Sequence, residues 1–483
     1  MKDENFAENA NAVVSALSDY LEESHNKKSP VINQPKMTSI IADLKLDQLI
    51  IQGGLEGKKL EKFTIDYLGA TTKLHHSHYM AHQVSVPHTT GALGSLIDGL
   101  TNNAMAIYEM GPAATALEYY MINWMVEKIG WVPSPIPGGK EQADNLPHGS
   151  GVMTHGGSLA NLTALIAARS AMFPNIWRDG NPGNVVVLVP EQSHYSLKRT
   201  VGILGLGEKN CITMPADEDG RVLPKKIPPL IAKLEKSGKK IMAIVGNACG
   251  TAAGLYDPLD QIGTICNEHN IWFHVDAAHG AGAIVCDEYR HLVKGIESAD
   301  SVIWDAHKMF RTPILAAATL VKDYRHLDNA FSQEASYLVH EKEQPGVDQI
   351  MRAVECTKSG MGLKMFMSIA AMGESGLIDY ITSRTKLAVE AAYYLETLDD
   401  IECPVIPETS ILCFRIGTND DRQLEIRKRL LDRGNFYIST TEYKNARWLR
   451  CVIINPDTSI EDLKELFIEI RKINAELDVK ELR

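Results

Sequence analysis

The sequence predicts an α/β protein whose large domain holds a mainly parallel sheet, with a helical arm before it and a small α+β domain after it. Three observations carry this reading. Four short apolar runs rich in β-branched residues, at 185–189, 241–245, 272–275 and 301–304, are spaced by helical stretches, the alternation that builds parallel strands. Each run is apolar almost throughout, as in strands covered on both faces. Beyond residue 365 the rhythm changes to long helices broken by isolated strands.

The elements follow in order. Phe6, Val13, Leu17, Tyr20 and Leu21 recur at helical spacing, so an amphipathic helix opens the chain and must cover something, its own body or a second subunit. Pro30 and Pro35 part it from a second helix over 40–51. A helix is expected over 104–128, then a Pro- and Gly-rich loop at 133–139, then the strands with their helices. The tail reads as helix 378–398, strand 411–416, helix 421–433, strand 449–454 and helix 460–477. The expected partition is an N-terminal dimerisation arm at 1–95, a large domain at 96–365 and a small domain at 366–483.

Composition narrows the function. The 483 residues are 45% hydrophobic and 23% charged, an ordinary globular balance. A net charge of -12 argues against nucleic acid as a partner, because such binders carry a basic face. A local basic pocket for a small anion stays open. The eight Cys include no C-x-x-C pair, so reduced, buried thiols are expected. No metal is expected. The polar start Met1-Lys2-Asp3-Glu4-Asn5 and the lack of a long apolar stretch point to a cytoplasmic protein that does not enter a membrane.

Ligands of open α/β sheets bind beyond the carboxyl ends of the strands, so the residues there are read together. Thr154-His155-Gly156-Gly157-Ser158-Leu159-Ala160-Asn161 opens a helix. Its glycines admit a close ligand, and free N–H groups at a helix start hold phosphate; an ordinary capped loop would look the same. His194, in Ser193-His194-Tyr195-Ser196, is suited to stack on a flat ring or move a proton, or to a structural role. Gly250-Thr251 is a turn or places Thr251 near a bound polar group. Asp276, in His274-Val275-Asp276-Ala277-Ala278-His279-Gly280, ends an apolar strand. A carboxylate there needs a cationic or proton-donating partner, which a protonated pyridine nitrogen would be, and Ala278 leaves room for a ring; a helix cap is the other reading. Lys308, in Asp305-Ala306-His307-Lys308, follows the last strand. Burial would lower its pKa and make it a better imine former, whereas an exposed lysine would keep its head in water. In this order, phosphate cup, ring-facing His, Asp and Lys compose a site for pyridoxal phosphate. The cup takes the phosphate, Asp276 the ring nitrogen and Lys308 the aldehyde carbon, so that the ring serves as electron sink.

These residues resemble the pyridoxal-phosphate-dependent group II amino-acid decarboxylases. The resemblance spans residues 70–460 and adds His76 to His82, Leu100-Thr101-Asn102-Asn103, Tyr108-Glu109-Met110-Gly111-Pro112 and Leu449-Arg450 to Asn455-Pro456. It implies a fold type I, aspartate-aminotransferase-like large domain and a homodimer whose active site is shared between subunits. It also implies Gly157, Ser158 and His307 at the phosphate, His194 on the ring, Thr251, Ala278 and Asp276 around it, and Tyr337 as the proton donor after carbon dioxide leaves. Arg450 resembles an arginine that holds a substrate carboxylate, or is a strand-end ion pair. His82, Thr101 and Asn103 are expected to touch the substrate. The sequence departs from the family at Leu159, where Glu is common, at Asp305, where Asn is common, at His279, and at Glu355-Cys356-Thr357-Lys358 in place of an arginine pair.

The expected function is decarboxylation of an L-amino acid to an amine, with Lys308, His194 and Tyr337 as catalytic residues. A His-rich lining over 75–88 favours a polar substrate: glutamate, aspartate, cysteine sulfinate or 2,4-diaminobutyrate. Other pyridoxal phosphate lyase or aldehyde-forming chemistry on the same fold, or a silent binding homologue, are the alternatives. Tyr337, where aldehyde-forming relatives often have Phe, favours plain decarboxylation.

Overall fold

The four apolar runs become the middle of one sheet. The computed structural model describes residues 5–138, 147–331 and 346–481, and they divide into two compact units.

The larger unit comprises Gln83–Thr385 and Pro407–Thr409. Its strands are β1 (Ser150–Thr154), β2 (Val185–Val189), β3 (Cys211–Thr213), β4 (Lys240–Asn247), β5 (Trp272–Asp276), β6 (Ser301–Asp305) and β7 (Ala317–Val321). They lie in the order β1-β7-β6-β5-β4-β2-β3. The strands read from the sequence are thus the contiguous block β6-β5-β4-β2, all parallel. Only β7 runs against its neighbours, pairing antiparallel with both β1 and β6. β1, β2, β5, β6 and β7 are buried at every position, which explains why they show no polar alternation.

The helix Gly157–Met172 lies across β1, β4, β5, β6 and β7. It can do so because its inner face is small. Ala160 and Ala164 pack with Ala278, Ile303 and Ala317, and Thr319 Oγ1 donates to Ala160 O across 2.9 Å. The helix foreseen over 104–128 begins later, at Pro112, and runs Pro112–Ile129. Proline has no N–H and fixes φ near the helical value, so it opens a helix and cannot sit inside one. Residues Tyr108–Met110 before it form only a 3-10 turn.

The smaller unit comprises Met1–His82, Lys386–Ile406 and Ser410–Arg483. It holds β8 (Ile401–Glu402), β9 (Ile411–Ile416), β10 (Ser439–Tyr443) and β11 (Ala446–Val452), an antiparallel sheet ordered β10-β11-β9-β8. The helices Asp420–Arg433 and Ile460–Glu481 close its core through Ile426, Leu430, Leu463, Phe467 and Ile470 against Leu412, Phe414, Leu449 and Cys451. Asn419 caps the first by accepting the Arg422 N–H at 3.1 Å. The opening helix Phe6–His25 packs on Gly57–Gly69. The helix foreseen over 40–51 is two, Met37–Asp43 and Leu46–Gln52, parted by Lys45 at φ +51°; a left-handed residue breaks the ladder whatever the apolar spacing.

Candidate active site

One hydrogen-bond chain runs from the amino ends of β5 and β6, through helix Gly157–Met172, to Asp276 at the carboxyl end of β5 and to the turn after β2, and its direction can be assigned from the groups it joins. Trp272 Nε1 can only donate, and it donates to Ser301 Oγ across 2.9 Å. Ser301 then gives its proton to His274 Nδ1 at 2.8 Å. The His274 hydrogen is left on Nε2, which meets Asn161 Oδ1 at 2.8 Å. Asn161 therefore turns its nitrogen the other way, and Nδ2 donates to Asp276 Oδ2 at 3.1 Å and Ser196 Oγ at 3.0 Å. Ser196 donates to His194 Nδ1 at 2.8 Å, and that nitrogen also accepts the Ser196 N–H at 3.3 Å. The chain ends with His194 carrying its hydrogen on Nε2.

Electrostatics agree with these assignments. Full burial lowers the His274 pKa to about 4 against the opposing pull of Asp276, so the ring is neutral. Burial also lowers the His194 pKa, with Asp276 opposing. Asp276 is buried and, among the described residues, accepts only from neutral groups, Asn161 and the Ala278 N–H at 3.2 Å. A carboxylate so placed calls for a cation, because neutral donors only partly replace water around a charge.

A second cluster stands at the end of β6. Lys308 Nζ lies 3.2 Å from Asp305 Oδ2, and His307 Nε2 lies 3.7 Å from the same oxygen. Asp305 is buried, and its Oδ1 has no hydrogen-bond partner among the described residues. His307 is held by its Nδ1 against Ala316 O at 2.8 Å. The carboxylate also abuts the start of helix Gly157–Met172: a Cβ on Gly157 would fall 2.6 Å from Asp305 Oδ2. Gly157 is thus required by Asp305, while Gly156 is required by its backbone, at φ +103°. Leu159 and Ala160 return their N–H groups to Gly156 O at 3.0 and 3.1 Å. Those of Gly157 and Ser158 meet no acceptor among the described residues, as an anion site at a helix start requires.

The segment that departs from the family has its own partners. Glu355 Oε1 bonds His155 Nδ1, and Ser359 Oγ lies 3.1 Å from His155 Nε2. Lys358 is fully buried with Glu118, and its Nζ also donates to Met153 O at 2.7 Å. Thr251 N–H donates to Gln192 O at 3.3 Å, beside the turn that carries His194.

The remaining residues singled out in the sequence have partners of their own. At the end of helix Thr89–Thr101, Asn103 Nδ2 donates to Thr101 O at 2.9 Å and Thr101 Oγ1 donates to Ile97 O at 2.9 Å. His82 and Arg450 belong to the smaller unit. His82 Nε2 meets Tyr437 Oη at 3.0 Å; desolvation, then the guanidiniums of Arg450 and Arg427, lower its pKa. Within the His-rich segment His78 is structural, set between Asn435 O at 2.9 Å and Asp462 Oδ1 at 3.0 Å and stacked on Phe436 at 4.0 Å. Tyr337 lies outside the described residues. Asn161 and Ser196 were not foreseen as site residues. The available signal was a lone amide on an alanine-lined helix face, since a buried amide needs partners.

Residues 65–417 match the family described as "Pyridoxal-dependent decarboxylase conserved domain". The chain belongs to the pyridoxal-dependent decarboxylases. It is 27% identical over 440 residues to an L-2,4-diaminobutyrate decarboxylase of Acinetobacter baumannii, covering 86% of this chain and 83% of that protein. It is 28% identical over 397 residues to an acidic amino acid decarboxylase of Xenopus tropicalis, covering 78% and 75%. Among solved structures, mouse CSAD superposes with a TM-score of 0.89 at 22% identity over 98% of this chain and 99% of that one. Oryza sativa TDC, solved with pyridoxal phosphate and tryptamine, gives 0.86 at 21% identity over 99% of each. The enzyme uses pyridoxal phosphate. The groups its site offers fit that cofactor: free N–H groups at a helix start, a buried carboxylate in want of a cation, and a lysine at the end of the adjacent strand.

Proposed function

We propose that this decarboxylase removes the α-carboxyl group of a polar L-amino acid through the cluster built on Asp276, His194 and Lys308. The observation that carries the assignment is the directed chain from Trp272 to His194, which holds the Asp276 carboxylate by two N–H donors and leaves the hydrogen of His194 on Nε2. Bound there, the cofactor supplies an electron sink for the breaking bond. Asp276 would hold the protonated ring nitrogen, and Gly157, Ser158 and His307 the phosphate. Thr251 and Ala278 would border the ring, and His194 would stack on it. Lys308 would hold the aldehyde carbon and must give up its proton to do so. Tyr337 would return the proton to the substrate carbon. His82, Arg450, Thr101 and Asn103 would bind substrate, and the two guanidiniums acting on His82 support glutamate, aspartate or cysteine sulfinate over 2,4-diaminobutyrate.

The enzyme would act as a cytoplasmic homodimer. Helix Thr89–Thr101 turns its glycine face inward, where a Cβ on Gly91 would fall 2.0 Å from Ser368 Oγ. Its other face leaves Leu93, Leu96, Ile97 and Leu100 exposed as one stripe, the spacing of a face that a partner covers. No described helix is long and apolar enough to cross a membrane.

Carbon dioxide release across a panel of amino acids tests the substrate. Release from one of the acidic three, lost in Lys308→Ala together with the cofactor's imine absorbance band, is the expected result. Turnover only of aromatic substrates, or an intact band in Lys308→Ala, contradicts the assignment.

A further inference from the structure

Asp305 is a buried acid in a place that should welcome phosphate. Its side chain is 2% exposed, its Oδ2 lies 3.2 Å from Lys308 Nζ, and its Oδ1 has no hydrogen-bond partner among the described residues. The carboxylate presses on the first residue of helix Gly157–Met172, where a Cβ would stand 2.6 Å from Oδ2 and 2.9 Å from Oδ1. The positive end of that helix therefore already faces an anion. One carboxylate serves both cationic features of the cup, the helix start and the lysine.

We propose that Asp305 is a resident anion of the phosphate cup: it neutralises Lys308 and the helix start in the cofactor-free protein and opposes the phosphate of the incoming cofactor. The inference rests on reading Gly156–Ser158 as the phosphate end of the site. Two like charges at one helix end repel, and burial strengthens the repulsion because little water screens it. The pair with Lys308 must also open before the lysine can meet an aldehyde. The chain thus gains a cofactor-free state with its charges matched and gives up part of its cofactor affinity. Asparagine at 305 would keep the shape of the side chain and remove the charge.

The test uses 4'-deoxypyridoxine 5'-phosphate, which lacks the aldehyde, and 4'-deoxypyridoxine, which lacks the phosphate as well. Dissociation constants of both are measured by calorimetry on the full-length cofactor-free chain, with and without Asp305→Asn. The preference for the phosphorylated probe is expected to rise on the order of tenfold or more in Asp305→Asn, with little change for the other probe. Asp305→Ser serves as a second charge-free variant, should Asp305→Asn fold poorly, and is expected to move the preference the same way. An unchanged or smaller preference, with the phosphorylated probe still favoured, overturns the proposal and leaves the cup reading in place. Equal binding of the two probes by all three proteins overturns the cup reading and the proposal with it.

Discussion

Asn161 Nδ2 stands 3.1 Å from Asp276 Oδ2 while its Oδ1 stands 2.8 Å from His274 Nε2. The two ends of one amide thereby serve opposite partners: a carboxylate that accepts and a neutral histidine that donates. Asn161→Leu keeps the volume and removes both. It leaves the His274 N–H and one Asp276 oxygen short of a partner, each worth about 1–3 kcal/mol. Urea denaturation of the cofactor-free protein should show a loss of about 2–6 kcal/mol, and an unchanged midpoint would mean that water replaces the amide.

His274 gives the fold an acid-sensitive element. The unfolded ring takes up a proton near pH 6.5, the folded ring only near pH 4, because burial disfavours its charge. The unfolded state binds more protons within that window, so stability falls as the pH falls through it. Relative to His274→Gln, the wild type should lose about 2–3 kcal/mol between about pH 6.5 and about pH 4.5. Parallel stability curves for the two proteins would place the proton elsewhere.

Lys358 and Glu118 are a fully buried pair. Lys358→Met strands the Glu118 charge and should cost about 3–5 kcal/mol, whereas Lys358→Met with Glu118→Leu should recover most of the loss. Equal destabilisation by the single and double variants, read from denaturation midpoints, would show that Glu118 is needed mainly for its bond to the Met153 N–H at 3.0 Å.

Gly157→Ala forces a methyl group against the Asp305 carboxylate. A destabilisation of about 1–3 kcal/mol is expected, with most of it removed when Asp305→Ala is added. Additive effects would mean that the backbone at 157, and not the carboxylate, rejects the side chain.

Leu96→Asp and Leu100→Asp place charges in the exposed stripe of helix Thr89–Thr101. Sedimentation should find a dimer for the wild type and a shift toward monomer at micromolar concentration for the double variant. A monomeric wild type would leave that stripe without the assigned partner.

The sheet's centre was legible because β2, β4, β5 and β6 are fed by runs of β-branched residues long enough to stand out. The flanking β1 and β7, SGVMT and AATLV, are made of small residues whose strand form is imposed by neighbours. The association of residues 1–82 with the C-terminal sheet has no local signature, since Met80 enters that core through a long-range contact. In the site, residue types at strand ends suggested Asp276, His194 and Lys308, but not what binds what. Asn161 remained hidden because its role depends on three residues from two other elements, Ser196 on one helix and His274 and Asp276 on β5. Asp305 was visible as an oddity beside Lys308, and only the packing of Gly157 against it showed where the charge sits.

The reversal of β7 bears on how this chain can vary. Parallel neighbours need a long crossover, which tolerates insertions. Lys308 instead sits in a hairpin: Asp305 pairs with Ala317, and His307 N–H reaches Ala316 O at 3.1 Å. Both ends of the lysine's loop are thus clamped to adjacent strands, and its length is fixed by the ladder. Lengthening the chain between His307 and Ala316 would have to bulge outward or slip the pairing by a residue, turning side chains to the wrong face. Along this stretch, chain length should be guarded as closely as the identity of the lysine.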